Sequence, residues 1–452
     1  MKSKDLSESK SFSFSDKESS YLKREVGLVP AIMLVVGNTI GTGIFTTSGF
    51  IIKELKDPGA LLFVWVIGGL IALFGAFSYA ELGKMFPRAG GEYTFLKESF
   101  GEVFGFLAGW ISLIVGFSAP IAATAIAFSK YFLELFHFQS PEVISKLLAI
   151  SLILFISFVH VQRIKIGINF QTGLTTFKIL FIFAFIILGF LYANKGLNSF
   201  EMEMLIPDKE TILKLSFPVS LIYVMYSYSG WNAAIYIGEE IKNPRRNIPL
   251  ALLLGVLVVV FLYIGLNLFY VKALSIEEMS GVLEIGAKTS EKIFAENLSF
   301  LFTAGITLGL LSVLSAMIIA GPRVYYAMAR DGVFFSIFSK VYPEKKTPVF
   351  SIFLQALIAI FMVLTSTFEA LLLYIGFTLS LSASLTVAGL MKLKKKFVFS
   401  AFAFILTNLW IIIFTIITKP LTLLAGGITI LIGFTLYQFK FKKKNKKKET
   451  GG

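Results

Sequence analysis

The chain has 452 residues, of which 56% are hydrophobic and 15% charged, and its mean hydropathy is +0.79. A soluble domain is about half apolar and about a quarter charged, so a string of soluble domains is excluded, because the polar residues could not cover their surfaces. Disorder is excluded too, since 48 Phe and 16 Tyr are far from the composition of a solvated chain. The formal charge of +14 is typical of nucleic-acid binding or of basic inner membrane loops.

Twelve segments are long and apolar enough to cross a membrane, since a bilayer core about 30 Å thick needs about 20 mostly apolar residues per helix. Apolar and polar residues do not alternate regularly, so a β-barrel is not expected. We therefore predict an all-α polytopic membrane protein with twelve transmembrane helices. The predicted helices lie near 28–52, 59–80, 103–129, 145–161, 170–193, 215–238, 248–273, 298–328, 348–366, 370–391, 397–417 and 421–440.

The positions of the basic residues predict the orientation. Twelve crossings place both termini on one side of the membrane. If that side is the cytosol, the inner segments hold 30 of the 42 Lys and Arg residues, and the outer loops hold 11. The remaining one lies within a span. This bias fits the positive-inside rule. A nucleic-acid partner is not expected, because the basic residues are dispersed over seven segments.

The two ends of the chain are predicted to be cytosolic tails. Residues 1–25 are polar and lack the apolar segment of a signal peptide, so we predict a disordered tail there. Residues 441–452 form a basic tail, whose lysines lie where they can contact anionic lipid headgroups. The sequence has no cysteine, which excludes a disulfide-linked subunit and a thiolate metal site; no metal or cofactor is expected.

Two spans have the composition of a broken helix. The first contains Gly37–Phe45, with three glycines in seven residues, and the sixth contains the unusually polar run Tyr226–Asn232. A half-helix that starts after a break offers free N–H groups to an anion. The glycines of one span alone could equally serve close helix packing, but two breaks five helices apart indicate a transporter site.

Four segments carry a resemblance to a known family: GNTIGTGIF (37–45), ELGKMFPRAGGEYTFL (81–96), the run from 226 to 252, and GPRVYYAMARDGVFF (321–335). In that order they resemble the signature first helix, the inner loop after helix 2, helix 6 with the loop that follows it, and the end of helix 8 in the amino acid–polyamine–organocation (APC) superfamily. The motifs are closest to those of its L-type amino acid transporter branch and prokaryotic relatives.

The resemblance implies a LeuT-like fold with broken helices 1 and 6. Residues 26–391 would form the transport core, with one repeat over about 26–193 and an inverted repeat over about 213–391. Residues 397–440 would add helices 11 and 12. Alternating access would then occur around an amino-acid site in the middle of the membrane.

The resemblance also implies roles for single residues. Thr42 and Gly43 would donate backbone N–H groups to the substrate's α-carboxylate. Carbonyls of Thr39, Tyr226 and Ser229 would accept from its α-amine, and the ring of Tyr226 would act as a gate. The full predicted substrate-binding set is Thr39, Ile40, Gly41, Thr42, Gly43, Tyr226, Ser229, Gly230 and Asn232.

Lys178 is the one charged residue deep in a span. A lysine at the bilayer centre costs about 2.5–3.5 kcal/mol on insertion scales, so it should face protein or water. Two roles remain open: a proton-coupling group, or a fixed cation that holds the carbonyls of the unwound helix 1. In the family, a lysine here occupies the position of a sodium site, which disfavours sodium coupling.

The sequence therefore predicts a secondary active transporter of amino acids in the plasma membrane, with proton symport first and L-type exchange as the alternative. Neutral substrates are expected, because no carboxylate lies deep in helices 1, 3, 6, 8 or 10. A transporter-like sensor without transport is the alternative from another class. No catalytic residue is expected, because both histidines lie near interfaces and no deep Asp or Glu completes a catalytic group.

Overall fold

The computed structural model describes residues 24–136, 138, 142–162, 164–193, 205–282, 284–294, 296–342, 346–418 and 420–441. Nearly all of the two predicted tails, 1–25 and 441–452, lies outside these residues. The described chain is helical, with two isolated β-bridges. The first ten helices are α1 (Leu28–Thr39), α2 (Thr42–Leu55), α3 (Pro58–Met85), α4 (Glu92–Phe100), α5 (Glu102–Ile111), α6 (Ala119–Glu134), α7 (Glu142–Val161), α8 (Ile164–Ala193), α9 (Lys209–Leu213) and α10 (Ser216–Ser227).

Ten more helices lie in the described residues of the second half. They are α11 (Ala233–Tyr236), α12 (Pro244–Ala273), α13 (Ile276–Met279), α14 (Ile285–Ile293), α15 (Glu296–Ala320), α16 (Pro322–Arg330), α17 (Val349–Thr365), α18 (Phe368–Lys394), α19 (Phe399–Thr418) and α20 (Pro420–Leu436). A π-helical turn at Ser112–Ser118 joins α5 to α6, and a 3₁₀ turn lies at Ser336–Ser339.

The predicted crossings correspond to these helices. Within the described residues, ten helical segments have the length and apolar composition to span a bilayer. The other two predicted crossings contain the shorter apolar helices α10 and α17. Helix α10 is short because its span is interrupted by the second break. The sequence did not predict the amphipathic helices α4 and α14, which lie between spans.

The first span breaks between α1 and α2, as predicted. Ile40 has φ −72° and ψ 93°, and Gly41 has φ −120° and ψ −152°, so two extended residues separate the half-helices. The second break also occurs, because α10 ends at Ser227 and helical structure resumes only at Ala233.

Hydrogen bonds and ion pairs close one end of the bundle, which we call the basic end. It comprises the α3–α5, α11–α12 and α16–α17 connections and the end of α18. Val26 donates its N–H to the carbonyl of Glu240 (3.0 Å), and Lys242 donates back to Val26 (2.8 Å). Lys346 pairs with Glu25 at 2.6 Å. We call the other end of the bundle the opposite end.

Candidate functional site

The two broken helices touch each other at their breaks. A Cβ atom built on Gly43 would lie 2.4 Å from Oγ of Ser227 and 2.7 Å from its Cα. The hydroxyl of Ser227 in turn lies 3.0 Å from that of Thr47. Only glycine at position 43 allows this approach, because real Cβ contacts are longer. The sequence brings the two predicted segments together although 180 residues separate them.

Asn38 and Gly230 connect the breaks a second time. The amide Nδ2 of Asn38 donates to the carbonyl of Gly230 at 3.0 Å. Gly230 has φ +97°, and a Cβ there would lie 2.4 Å from that same Nδ2. Glycine is therefore required at 230 both by its backbone conformation and by the space available. Asn38 was not among the predicted site residues, although it lies inside the quoted first-helix motif.

Tyr263 holds the carbonyls that the breaks leave without helical partners. Its hydroxyl lies 2.9 Å from the carbonyl of Thr39 and 2.8 Å from that of Ser227, and its one proton is shared between them. The Thr39 carbonyl, predicted to accept from a substrate amine, therefore already has a partner in this conformation. Sequence reasoning missed Tyr263 because α12 is uniformly apolar around it.

The start of α2 is a buried helix N-terminus without a cap. No side chain accepts a hydrogen bond there from the first N–H groups, and Gly41 is the N-cap residue. Thr42 and Gly43 are both buried. The first N–H groups of a helix have no partner within the helix, and a buried end without a cap requires a ligand or water. With the helix dipole, this end favours an anion.

A cavity lies beside the breaks. Its wall contains Asn38, Ser229, Gly230, Asn232 and Glu92, with Phe117 from the π-helical turn. Of the predicted residues, Ser229, Gly230 and Asn232 line it. The others are not on its wall in this conformation and lie at the breaks: Thr39, Ile40, Gly41, Thr42, Gly43 and Tyr226.

Tyr226 lies between this cavity and the opposite end. Its hydroxyl is 2.9 Å from the hydroxyl of Thr42, so the pair bridges the two broken helices. One helical turn before it, Tyr223 lines a second cavity together with Phe50 and Lys130. Since Phe50 lies two turns beyond Thr42, the Thr42–Tyr226 pair separates the two cavities.

Glu92 places a buried carboxylate on the wall of the first cavity. It begins α4, and its Oε1 accepts from Tyr79 (2.6 Å) and from Asn232 (3.2 Å), while Oε2 accepts from Ser382 (3.0 Å). Glu92 was not predicted, because carboxylates were sought in the spans alone and α4 lies outside them. The glutamate is visible in the sequence as part of the GGEY motif of segment 81–96.

Lys178 is buried and contacts the unwound end of α1. Its Nζ donates to the carbonyls of Gly37 (3.1 Å) and Ile40 (2.5 Å). Its side chain also packs against Gly309 of α15, where a Cβ would lie 3.4 Å from Cδ of the lysine. No ion pair with an acidic residue is found for it among the described residues. Both roles that the sequence left open place Nζ at these carbonyls.

The acidic pair that follows α11 forms two ion pairs. Glu240 binds Arg323 at 2.8 Å, with both side chains buried, and Glu239 binds Arg330 at 2.8 Å. Both arginines belong to α16, so the pairs fasten helix 6 to helix 8 at the basic end.

The two broken helices contact each other at their breaks, with an uncapped helix end and a polar cavity beside them. This arrangement is typical of secondary transporters. In membranes, irregular backbone persists where it lines a cavity, and discontinuous helices of this kind form the substrate sites of secondary transporters.

The chain belongs to the amino acid permease family, whose model matches residues 26–437. It is an APC-type transporter with a fold consistent with the LeuT-like arrangement predicted above. The family and its members are transporters and not enzymes, in agreement with the prediction.

Named relatives support the same conclusion. The large neutral amino acids transporter small subunit 2 of Mus musculus is 30% identical over 384 residues, which are 83% of this chain and 71% of that protein. The b(0,+)-type amino acid transporter 1 of Mus musculus is 28% identical over 456 residues, 95% of this chain and 92% of that protein. The serine/threonine exchanger SteT of Bacillus subtilis (strain 168) is 32% identical over 352 residues, 77% of this chain and 78% of that protein.

Proposed function

We propose that the chain moves neutral amino acids across the plasma membrane by alternating access, with the cavity at the two breaks as the substrate site. The observation that carries the proposal is the buried, uncapped start of α2. The N–H groups of Thr42 and Gly43 bind the α-carboxylate there. Of the carbonyls predicted to surround the α-amine, those of Tyr226 and Ser229 accept from it, whereas that of Thr39 is held by Tyr263. Asn232 contacts the substrate from the cavity wall.

The gate follows from the position of Tyr226. In this conformation its hydrogen bond to Thr42 closes the path from the opposite end. The basic end is the cytosolic one, by the distribution of Lys and Arg, and it is closed by the ion pairs of Glu239 and Glu240. The structure is thus close to an occluded state, and each half-cycle opens one of the two closures.

The preference for neutral substrates rests on the bonding of Glu92. Its carboxylate already accepts three hydrogen bonds within the protein. Because these bonds compensate the buried charge, a cationic substrate side chain is not needed to pair with it. Transport of alanine, serine or leucine in preference to lysine and glutamate is the expected outcome of an uptake panel with purified protein in liposomes. Uptake of none of them would contradict the proposal and favour a sensor.

The coupling we propose is proton symport, with Lys178 as the coupling residue. A proton on Nζ stabilises the carbonyls of Gly37 and Ile40, and its loss frees the unwound segment to rearrange. Glu92 is a second buried titratable group on the cavity wall and therefore the rival proton carrier. Exchange of internal for external amino acid is the second candidate, which the name of the Bacillus subtilis relative favours.

An imposed pH gradient separates symport from exchange. Uptake into empty liposomes that rises when the outside is acidified supports symport, whereas uptake that requires preloaded amino acid supports exchange. Lys178→Ala should abolish the response to the gradient. Lys178→Arg retains a donor and a charge but does not release a proton, so it should keep substrate binding and lose the response. If Glu92→Gln loses the response and Lys178→Ala keeps it, Lys178 is not the coupling residue.

A further inference from the structure

Asn408 of α19 places an unsatisfied acceptor on the wall of the substrate cavity. Its side chain is fully buried and lines that cavity. Its Nδ2 donates to the carbonyl of Phe404 at 2.9 Å, which fixes the orientation of the amide, because a carbonyl can only accept. Among the described residues, its Oδ1 has no hydrogen-bond partner. A buried amide oxygen without a partner is costly, so we expect a ligand in the cavity to supply the missing hydrogen bond.

Asn38 shows the same imbalance. Its Nδ2 donates to the carbonyl of Gly230, and within the described part of the chain its Oδ1 has no partner. Nδ2 of Asn232 is also used within the protein, since it donates to Glu92 and to Tyr236. Two residues that line the cavity, Asn38 and Asn408, therefore have an amide oxygen without a partner. A ligand that satisfies these oxygens must bring N–H or O–H groups.

The two unsatisfied oxygens belong to different parts of the site. Asn38 ends the first half-helix beside the break, where the α-amine of an amino acid would lie. Asn408 lies on α19, which packs against α3, α10 and α18. One turn before it, the ring of Phe404 lies 6.1 Å from that of Trp231. With the substrate's α-carboxylate at the start of α2, as proposed above, we place Asn408 beside the substrate's side chain.

We propose that Oδ1 of Asn408 accepts a hydrogen bond from the substrate's side chain, so that the transporter prefers neutral amino acids whose side chains carry an O–H or N–H donor. This inference rests on the proposed function, because it assumes that an amino acid occupies the cavity. Such a site discriminates strongly against an isostere without the donor, because a buried acceptor is then left unpaired.

Threonine and valine test the proposal, because they have nearly the same shape and differ by one hydroxyl. Uptake kcat/KM for threonine should exceed that for valine by about tenfold or more in the reconstituted wild-type chain, as one hydrogen bond of about 1.4 kcal/mol would give. Asn408→Leu should bring the ratio close to one, and Asn408→Asp, which keeps an acceptor, should keep the preference. The ratio is independent of how much of each variant folds.

Thr407→Val serves as the matched control. Thr407 neighbours Asn408 on the same helix, and its hydroxyl bonds back to Ala403 and Phe404, so this change should leave the ratio unaltered. If wild-type protein transports both amino acids equally, or if Asn408→Leu leaves the ratio unchanged, water alone satisfies Asn408 and the inference is wrong while the proposed function stands. If no amino acid is taken up, the proposed function itself fails.

Discussion

At the scale of single residues, position 230 requires glycine both for its backbone conformation and for the space around it. Replacing it by alanine would force a side chain into φ +97° and set Cβ 2.4 Å from the Asn38 amide. A left-handed backbone costs a non-glycine residue about 1–2 kcal/mol before the clash is counted. We predict that Gly230→Ala lowers amino-acid uptake at least about tenfold.

The control for this variant is Gly427→Ala in α20. A Cβ at that position meets nothing within 4 Å, and alanine is the better helix former by about 1 kcal/mol. Its uptake per folded molecule should equal that of the wild type. Gly230→Ala protein that transports like Gly427→Ala would show that the contact between the breaks is dispensable.

At the scale of secondary-structure elements, the sequence predicted the two breaks because their cause is local. The glycines of the first span and the polar run of the sixth are visible without any tertiary information. The Thr39–Tyr263 contact was not predictable, because it depends on how α12 packs against both breaks. Glu92 was missed for a related reason: a short helix outside the spans carries it, and only packing brings its carboxylate to the cavity.

The stability of the connection after α16, at the basic end, should depend on pH through Asp331. Burial raises the pKa of the Asp331 carboxyl, but the hydrogen bond and charge of Lys97, with Tyr93 and Arg88, outweigh it and hold that pKa below its ordinary value of 3.8. A carboxyl with a lowered pKa in the folded state stabilises the fold above its unfolded-state pKa. That contribution disappears as the pH falls through the folded-state pKa.

Asp331→Asn should therefore lower the Tm of the purified protein at pH 7 by roughly 1–3 °C. The difference from the wild type should shrink as the pH is lowered from about 5 toward 3. The measurement is the Tm of the wild type and of Asp331→Asn at each pH between about 5 and 3. A difference that stays constant down to pH 3 would mean that the charge of Asp331 does not fasten α4 to the end of α16.

At the scale of the whole molecule, the absence of native cysteine makes orientation directly measurable. Lys56 and Lys395 form a matched pair: both are exposed, both end a helix with φ near 50°, and they lie at opposite ends of the bundle. Lys56→Cys should react with a membrane-impermeant maleimide on intact cells. Lys395→Cys should react only after permeabilisation, and the reverse pattern would contradict the orientation that the basic residues predict.

If amino acids pass through the cavity at the two breaks, a reactive group placed in that cavity should block uptake, and Ser229→Cys provides such a group. Ser229 lines that cavity, and the new thiol would be the only one in the chain. A small thiol reagent should block uptake by this variant, and a transported amino acid should slow the modification several-fold. Ser336→Cys, at an exposed position in the 3₁₀ turn at the basic end, should be modified without loss of uptake. Full modification of Ser229→Cys with unchanged uptake would contradict the account.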